Sequence, residues 1–113
     1  MIPKCPKHNR IKPRTENQVI RRSARGKQCT LRLKCCNGNP ETTVLAHIRG
    51  AAWCGTGMKP NDLLSLYACS SCHDAMDGRS RVECTDGDVL RAHCETLLIM
   101  VRDGLVSVKG EKV

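Results

Sequence analysis

The sequence predicts a single small domain of the α+β class, and three observations support this class. The chain has 113 residues, which leaves no room for a second independent core. Aromatic residues make up only 2% of it, with no phenylalanine, so the bulky side chains that fill most small cores are nearly missing. Nine cysteines are spread through a succession of short strand-like and helix-like segments. We therefore expect cysteine chemistry to help hold the fold together.

Cysteines at this density indicate either disulfides in a secreted chain or metal ligands in a reducing compartment. The first residues combine prolines with lysines and lack the apolar core of a secretory signal. The longest apolar run, residues 97–101, is too short to cross a bilayer. An odd number of cysteines also fits a closed disulfide framework poorly. We expect a cytoplasmic protein whose cysteines bind metal or remain free thiols.

The positive charge of the chain is concentrated near its N-terminus. The net charge is +8, from 19 Lys and Arg against 11 Asp and Glu, and residues 4–34 hold eleven basic residues and one acidic one. A solvated, partly disordered tail is the alternative interpretation of such a segment. The near-neutral remainder of the chain favours a phosphate-binding surface and a DNA partner. The residues expected to contact DNA are Arg21, Arg22, Arg25, Lys27 and Arg49.

The first half of the chain is expected to contain one helix and two strands. Residues 1–14 suggest an extended arm, and Thr15 is positioned to cap a basic helix that runs to Arg25. Weak alternation predicts a strand over residues 28–34, and β-branched residues predict another over residues 42–49. The remaining segments are a cysteine-containing turn (35–40), an irregular loop (50–60) and an apolar stretch (62–68) whose periodicity cannot distinguish strand from helix.

Two helices are expected in the second half. Residues 69–77 predict a short helix ended by Gly78, and Asp86 or Asp88 caps a longer one that Gly104 stops. Residues 105–108 are a candidate final strand. We expect the apolar face of the long helix to cover the core of its own chain, which favours a monomer over a homodimer. That face consists of Leu90, Cys94, Leu97, Leu98 and Val101.

The strongest local motif is Cys69-Ser-Ser-Cys72. Two intervening residues let both sulfurs reach one tetrahedral zinc ion. A redox pair is the alternative, but no βαβ unit accompanies the motif. An upstream group contains Cys29, Cys35 and Cys36, and two of these would complete four ligands. We expect a structural zinc on Cys29, Cys36, Cys69 and Cys72, with Cys35 as the competitor of Cys36.

Two histidines lie beside this framework. His47 is near the end of the strand predicted over residues 42–49, and His73 directly follows Cys72. A neutral imidazole can accept a proton from water, and a divalent ion held by a second imidazole can stabilise the leaving oxygen of a phosphodiester.

The cysteine pairs, the strand histidine and the CxxCH motif together resemble the HNH endonucleases, whose ββα-metal core is a treble-clef variant. The resemblance spans residues 29–78. Within that group the chain is most similar to the YbcO family of phage- and prophage-encoded nucleases. The matching segments are residues 25–26 (RG), 36–42 (CNGNPET), 45–49 (LAHIR), 54–57 (CGTG), 59–60 (KP) and 68–74 (ACSSCHD).

The resemblance implies a metal-dependent DNA endonuclease acting in the cytoplasm of a bacterial host. It implies that His47 is the general base and that His73 binds a catalytic ion such as magnesium or manganese. With the segments above, we expect three regions within the one domain. These are a basic arm and helix (1–26), a zinc-stabilised HNH-like core (27–80) and a C-terminal helix and tail packed on that core (81–113).

The sequence departs from the HNH pattern at two places. Ala46 stands where an acidic or histidine metal ligand precedes the base, and the asparagine that orients the base corresponds to Asn61 or Asp62. Asp62, Asp74 and Asp77 are candidates to complete the shell around His73. Because of Ala46, a non-catalytic zinc-containing DNA-binding or recombination accessory module is the alternative function. A thiol-based regulator is a minor third interpretation.

Overall fold

The computed structural model describes residues 16–48 and 61–110, which form three helices and a two-stranded sheet. This arrangement confirms the α+β class. The elements in chain order are α1 (Gln18–Ser23), β1 (Val44–His47), β2 (Ser65–Ala68), α2 (Ser70–Met76) and α3 (Asp86–Arg102), with a 3₁₀ turn (Pro40–Thr42) before β1. The expected arm, Thr15, Arg49 and the loop over residues 50–60 lie outside the described residues.

The sheet is an antiparallel pair in which Val44 lies opposite Ala68 and His47 opposite Ser65. β2 is buried along its whole length, so the apolar stretch over residues 62–68 contains a strand and not a helix. β1 is shorter than the predicted 42–49 strand. The two strands and α2 follow one another in ββα order.

The strand predicted over residues 28–34 is wrong. Arg32 has a positive φ of 47°, which breaks the extended backbone, and the Cys36 N–H donates to the Leu33 carbonyl in a turn. Only Thr30 follows the edge of β2, where its N–H and its hydroxyl both donate to the Tyr67 carbonyl (2.8 and 2.7 Å). A single residue is thus enough to cover this acceptor on the strand edge.

The core is divided between the two faces of the sheet. One cluster contains Cys29, Leu31, Ala46, Leu66, Ala68, Cys69, Cys72 and Ala92. The other contains Ile20, Ala24, Tyr67 and Met100, with Leu45 packed against it. The first cluster has no aromatic residue and includes three cysteines, so its side chains are small for a domain core.

The two short helices begin at capping side chains. Asn17, and not Thr15, caps α1 by accepting the Val19 and Ile20 N–H groups, and α1 ends two residues before the predicted Arg25. Gly26 follows with φ of 87°, a conformation that favours glycine. Cys69 caps α2, which confirms the short helix predicted there.

The N-cap of helix α3 is Thr85, which corrects the expected caps Asp86 and Asp88. Thr85 and Asp88 form a reciprocal capping box in which each side chain accepts the other's N–H. At the other end, the N–H groups of Leu105 and Val106 both donate to the Met100 carbonyl. These residues therefore close the helix, and the strand predicted over residues 105–108 is wrong.

The prediction of which α3 face covers the core is also wrong. The buried residues are Ala92, Thr96 and Met100, whereas Leu90 and Leu98 are 64% and 71% exposed. The reason is a hydrogen bond. The Tyr67 N–H in β2 needs an acceptor, and the Thr96 hydroxyl oxygen accepts from it at 3.0 Å. Turning the leucines inward would leave that N–H without this partner.

None of the described helices has the length and apolarity needed to cross a membrane.

Candidate functional site

Four cysteine thiols converge beside the sheet. The sulfurs of Cys29, Cys36, Cys69 and Cys72 all lie within 4.8 Å of one another, and three of the four residues are buried. A tetrahedral zinc ion with sulfur bonds of about 2.3 Å would hold its ligands ~3.8 Å apart. The Cys36 and Cys69 sulfurs are 3.9 Å apart. The donor set and its spacing therefore fit a zinc ion, and the cluster could hold a metal.

Local backbone geometry explains why Cys36 joins this cluster and Cys35 does not. The turn closed by the Leu33 carbonyl and the Cys36 N–H directs neighbouring side chains apart. Cys35 instead directs its thiol to the Ser71 carbonyl at 3.5 Å. Cys69 contributes as the cap of α2, and its sulfur accepts the Cys72 N–H at 3.4 Å.

Without a cation, burial in the cluster disfavours the ionised form of the cysteine thiols. Burial raises the pKa of Cys36 and of Cys72. Burial also works against ionisation of Cys69, but the N–H groups of Asn37 and Cys72 outweigh it and lower the Cys69 pKa to about 7. Because thiolates are the form that binds metal, a divalent ion would offset the charge that the protein alone does not neutralise.

A second constellation is centred on the carboxylate of Asp62. This residue is fully buried and accepts from His47 Nε2 at 2.8 Å, from the Asn17 N–H at 2.7 Å and from Arg21 Nε at 3.0 Å. Burial works against its ionisation, yet these donors outweigh burial and lower the pKa of Asp62. Arg21, one-third exposed, links the carboxylate to α1.

The state of His47 follows from that carboxylate. An ionised Asp62 can only accept hydrogen bonds, so the Nε2 that faces it carries the ring proton. In the neutral form of the ring, Nδ1 is then the nitrogen with a lone pair. The His47 side chain is 17% exposed, so its position is held by the protein while part of the ring still meets solvent.

His73 has a different carboxylate partner. Its Nε2 lies 3.2 Å from Asp77, which follows one turn later as the C-cap of α2, and both side chains are partly exposed. Asp77 also accepts from Arg79 at 2.8 Å. An imidazole and a carboxylate at this spacing could both contact one divalent ion.

His47 lies on one face of the β1–β2 pair, and a cavity at the end of β1 reaches Asp77, the partner of His73. His47 shares its strand face with Leu45, which packs with Tyr67 near α1, whereas Ala46 is buried with Cys72 on the other face. A cavity of about 520 Å³ at that end is lined by Asp77 and by Ile48, the residue after His47, among others. Three carboxylates were candidates to accompany His73. Of these, Asp62 pairs with His47, and Asp77 is the one that pairs with His73.

The basic residues expected to bind DNA divide into two groups. Arg21 is paired with Asp62 and Glu16, and Lys27 with Asp103 at 2.6 Å. Arg22 is exposed, and Arg25 is exposed with a long 3.4 Å contact to Glu41. The arginines of α1 and Arg25 border a shallow groove beside the start of β1. The structural role of Arg21 was missed because its partner is 41 residues away and no local pattern indicates it.

These features define a small α+β domain with two notable sites. One is a cysteine cluster that could hold a metal ion, and the other is His47, at the end of β1, hydrogen-bonded to a buried carboxylate. Residues 18–100 match the family described as "Putative nuclease YbcO", and the chain belongs to that family. The family prediction from the sequence is therefore confirmed.

Individual relatives agree with this assignment. The chain is 43% identical over 95 residues to "Putative nuclease YbcO" of Escherichia coli K12 and equally to the protein of that name from Enterobacteria phage 82, covering 77% of this chain and 95% of each relative. It is also similar to a solved structure described as "a putative bacteriophage protein" from Escherichia coli K-12. That similarity has a TM-score of 0.61 and 40% identity, and covers 76% of this chain and all of the other.

Proposed function

We propose that this protein is a DNA endonuclease that hydrolyses phosphodiester bonds with His47 as the general base and a divalent ion as cofactor. The observation that carries the proposal is the 2.8 Å hydrogen bond between His47 Nε2 and the buried Asp62 carboxylate. The names of its relatives support nuclease chemistry. Such a pair gives His47 a defined proton position, which a surface histidine lacks.

In the proposed reaction, His47 Nδ1 takes a proton from a water molecule. The water oxygen forms a bond to phosphorus as the bond to the leaving sugar oxygen breaks. The leaving oxygen takes a proton from solvent and His47 releases its proton to solvent, so one phosphodiester and one water become a phosphate monoester and a hydroxyl. Asp62 stabilises the imidazolium that forms, and Arg21 keeps Asp62 ionised and in place. Asp62 is therefore proposed to orient His47, and not to complete the metal shell around His73.

His73 and Asp77 are the residues that would hold the catalytic ion, magnesium or manganese. When bound, such an ion supplies positive charge that stabilises the leaving oxygen. Asp77 lines a cavity together with Ile48, the residue after His47, which supports an ion position close to the strand end that carries His47. The ββα order and the cysteines around α2 support an HNH-like, treble-clef type of core with structural zinc.

DNA is proposed to approach along the α1 side. Arg22 and Arg25 are the exposed cations of the groove beside β1, and we retain both, with Arg49, as phosphate contacts. Arg21 and Lys27 were expected in the same role, but their ion pairs within the chain make them weaker candidates. We propose that the protein acts in the cytoplasm of the bacterial host.

The test is strand cleavage by the zinc-loaded protein on plasmid, single-stranded and branched DNA with magnesium or manganese. His47→Ala is expected to lose cleavage while retaining zinc and DNA binding. Glu83→Ala, an exposed substitution between α2 and α3, is the control and should cleave as the wild type does. Cleavage that survives in His47→Ala with the same metal dependence would refute the role of His47.

A non-catalytic zinc-containing DNA-binding or recombination accessory module is the second candidate. Ala46 favours it, because this residue is fully buried and offers no ligand at the position that precedes the base. This alternative predicts salt-sensitive DNA binding with no strand breakage under either metal ion. The cleavage assay therefore separates the two functions directly.

A further inference from the structure

Helix α3 carries an apolar stripe on the face turned away from its own domain. Leu90, Leu97 and Leu98 are 64%, 37% and 71% exposed, and Cys94 between them is exposed as well. Ala92, Thr96 and Met100, on the opposite side of the helix, already make the contact with the domain. Three exposed leucines on one helix face form a contiguous patch of the kind that marks an interaction surface.

The stripe, apart from Leu97, is symmetrical about Cys94. Leu90 lies four residues before it and Leu98 four residues after it, while Gly87 and Val101 lie seven residues away on either side. If two α3 helices pair antiparallel about a two-fold axis at Cys94, each Leu90 lies at the height of Leu98 in the other copy. Each Val101 then lies opposite Gly87, whose missing side chain permits close approach. The pattern is complementary to itself.

The charges at the two ends of α3 favour the same orientation. The first turn is acidic, with Asp86 and Asp88, and the last turn contains Arg102. Antiparallel pairing places the acidic first turn of one copy beside Arg102 of the other and opposes the helix dipoles, whereas parallel pairing brings like charges together. Within its own chain Arg102 contacts Asp103 at 3.0 Å, and Asp103 also accepts from Lys27 at 2.6 Å, so the cluster of these three side chains keeps a net positive charge at this end of the helix.

We propose that this face binds a second copy of the same chain, which gives a two-fold symmetric dimer with antiparallel α3 helices that cross at Cys94. This inference reverses the sequence-based expectation of a monomer, which rested on the wrong face of the helix. It is independent of the proposed nuclease activity. In such a dimer two copies of the His47 site belong to one particle.

The test is the mass of the zinc-loaded protein by sedimentation equilibrium over a range of micromolar concentrations. The expected mass is twice the 12.5 kDa of the chain. Leu98→Glu places a charge in the centre of the apolar contact and is expected to raise the dimer dissociation constant at least about tenfold, with the helical circular dichroism unchanged. Val19→Glu, at a 64% exposed position on α1, is the control and should remain dimeric.

A short thiol-to-thiol crosslinker tests the position of the two-fold axis. It should join two wild-type chains through Cys94 and fail in Cys94→Ser, while that variant sediments as a dimer. A wild-type mass of 12.5 kDa at every concentration would overturn the proposal, as would a Leu98→Glu dimer of unchanged affinity. If the protein is monomeric and Cys94 nevertheless reacts slowly with an alkylating reagent, another segment of the same chain covers the stripe. That result would also overturn the proposal.

Discussion

Replacing Cys36 by serine is expected to remove the metal ion and unfold the domain, whereas the same change at Cys35 should be nearly silent. Cys36 belongs to the group of four sulfurs that lie within 4.8 Å of one another, and the Cys35 thiol reaches only the Ser71 carbonyl at 3.5 Å. The two residues are adjacent in the sequence and chemically identical. Their comparison isolates metal ligation from every other effect of losing a thiol.

The magnitude follows from the number of ligands. Structural zinc contributes about 10–16 kcal/mol of apparent binding free energy in small domains, or about 2.5–4 kcal/mol for each of four ligands. Small domains are stable by only about 5–15 kcal/mol, so losing one ligand removes a large part of the total. Cys35→Ser loses one weak hydrogen bond, which is worth about 1 kcal/mol or less.

The assay combines zinc content with a thermal melt followed by circular dichroism, both in the presence of reductant. Wild type and Cys35→Ser should contain one zinc ion per chain and melt cooperatively. Cys36→Ser should bind zinc weakly and lose most of the cooperative transition, as should wild type after chelation. Loss of zinc in Cys35→Ser with retention in Cys36→Ser would refute the assignment of ligands, and an unchanged melt of the chelated wild type would refute the structural role of the ion.

Three further predictions concern single side chains. Asp62→Asn should destabilise the protein by about 2 kcal/mol at neutral pH, because the Arg21 and His47 contacts lose their charged partner. Because the folded pKa of Asp62 is lowered, the full difference in unfolding free energy between wild type and Asp62→Asn should be present above about pH 4. The difference should disappear as the pH falls through the folded pKa, and a difference that persists in acid would contradict this. Thr85→Ala should cost about 1 kcal/mol in a urea titration by removing the α3 cap, and no loss would refute the capping box. Arg22→Ala should reduce the slope of the logarithm of the DNA binding constant against the logarithm of the salt concentration by about one, measured by fluorescence titration. An unchanged slope would exclude Arg22 from the phosphate contacts.

The cysteine site could be predicted from the sequence because its signals are local. The spacing of Cys69 and Cys72 at a helix start fixes two sulfurs by backbone geometry alone. The turn residues after Cys36 distinguish it from Cys35, and the structure brings the four expected sulfurs together. The helix after β2 was predicted for the same reason, since its cap and its terminal glycine are adjacent to it in the chain.

The contacts that could not be predicted are long-range. Asp62 is joined to Arg21 across 41 residues, so neither residue shows in the sequence that it supports His47. The period of α3 identifies an apolar stripe, but the direction of that stripe depends on Thr96, which meets the Tyr67 N–H at the distant edge of β2. The strand expected over residues 28–34 fails at Arg32, where a positive φ interrupts a weakly alternating pattern.

The central claim is that His47 is the base of a DNA nuclease, and chemical rescue of His47→Ala tests it most directly. The rate of plasmid cleavage would be measured for wild type and variant, at equal zinc content and saturating manganese, with increasing imidazole. We expect the variant to lose at least about a hundredfold in rate and to recover part of it with imidazole, because free imidazole can occupy the space of the missing ring and accept the proton. Wild-type protein that never breaks DNA, or a variant that cleaves at the wild-type rate without imidazole, would contradict the account.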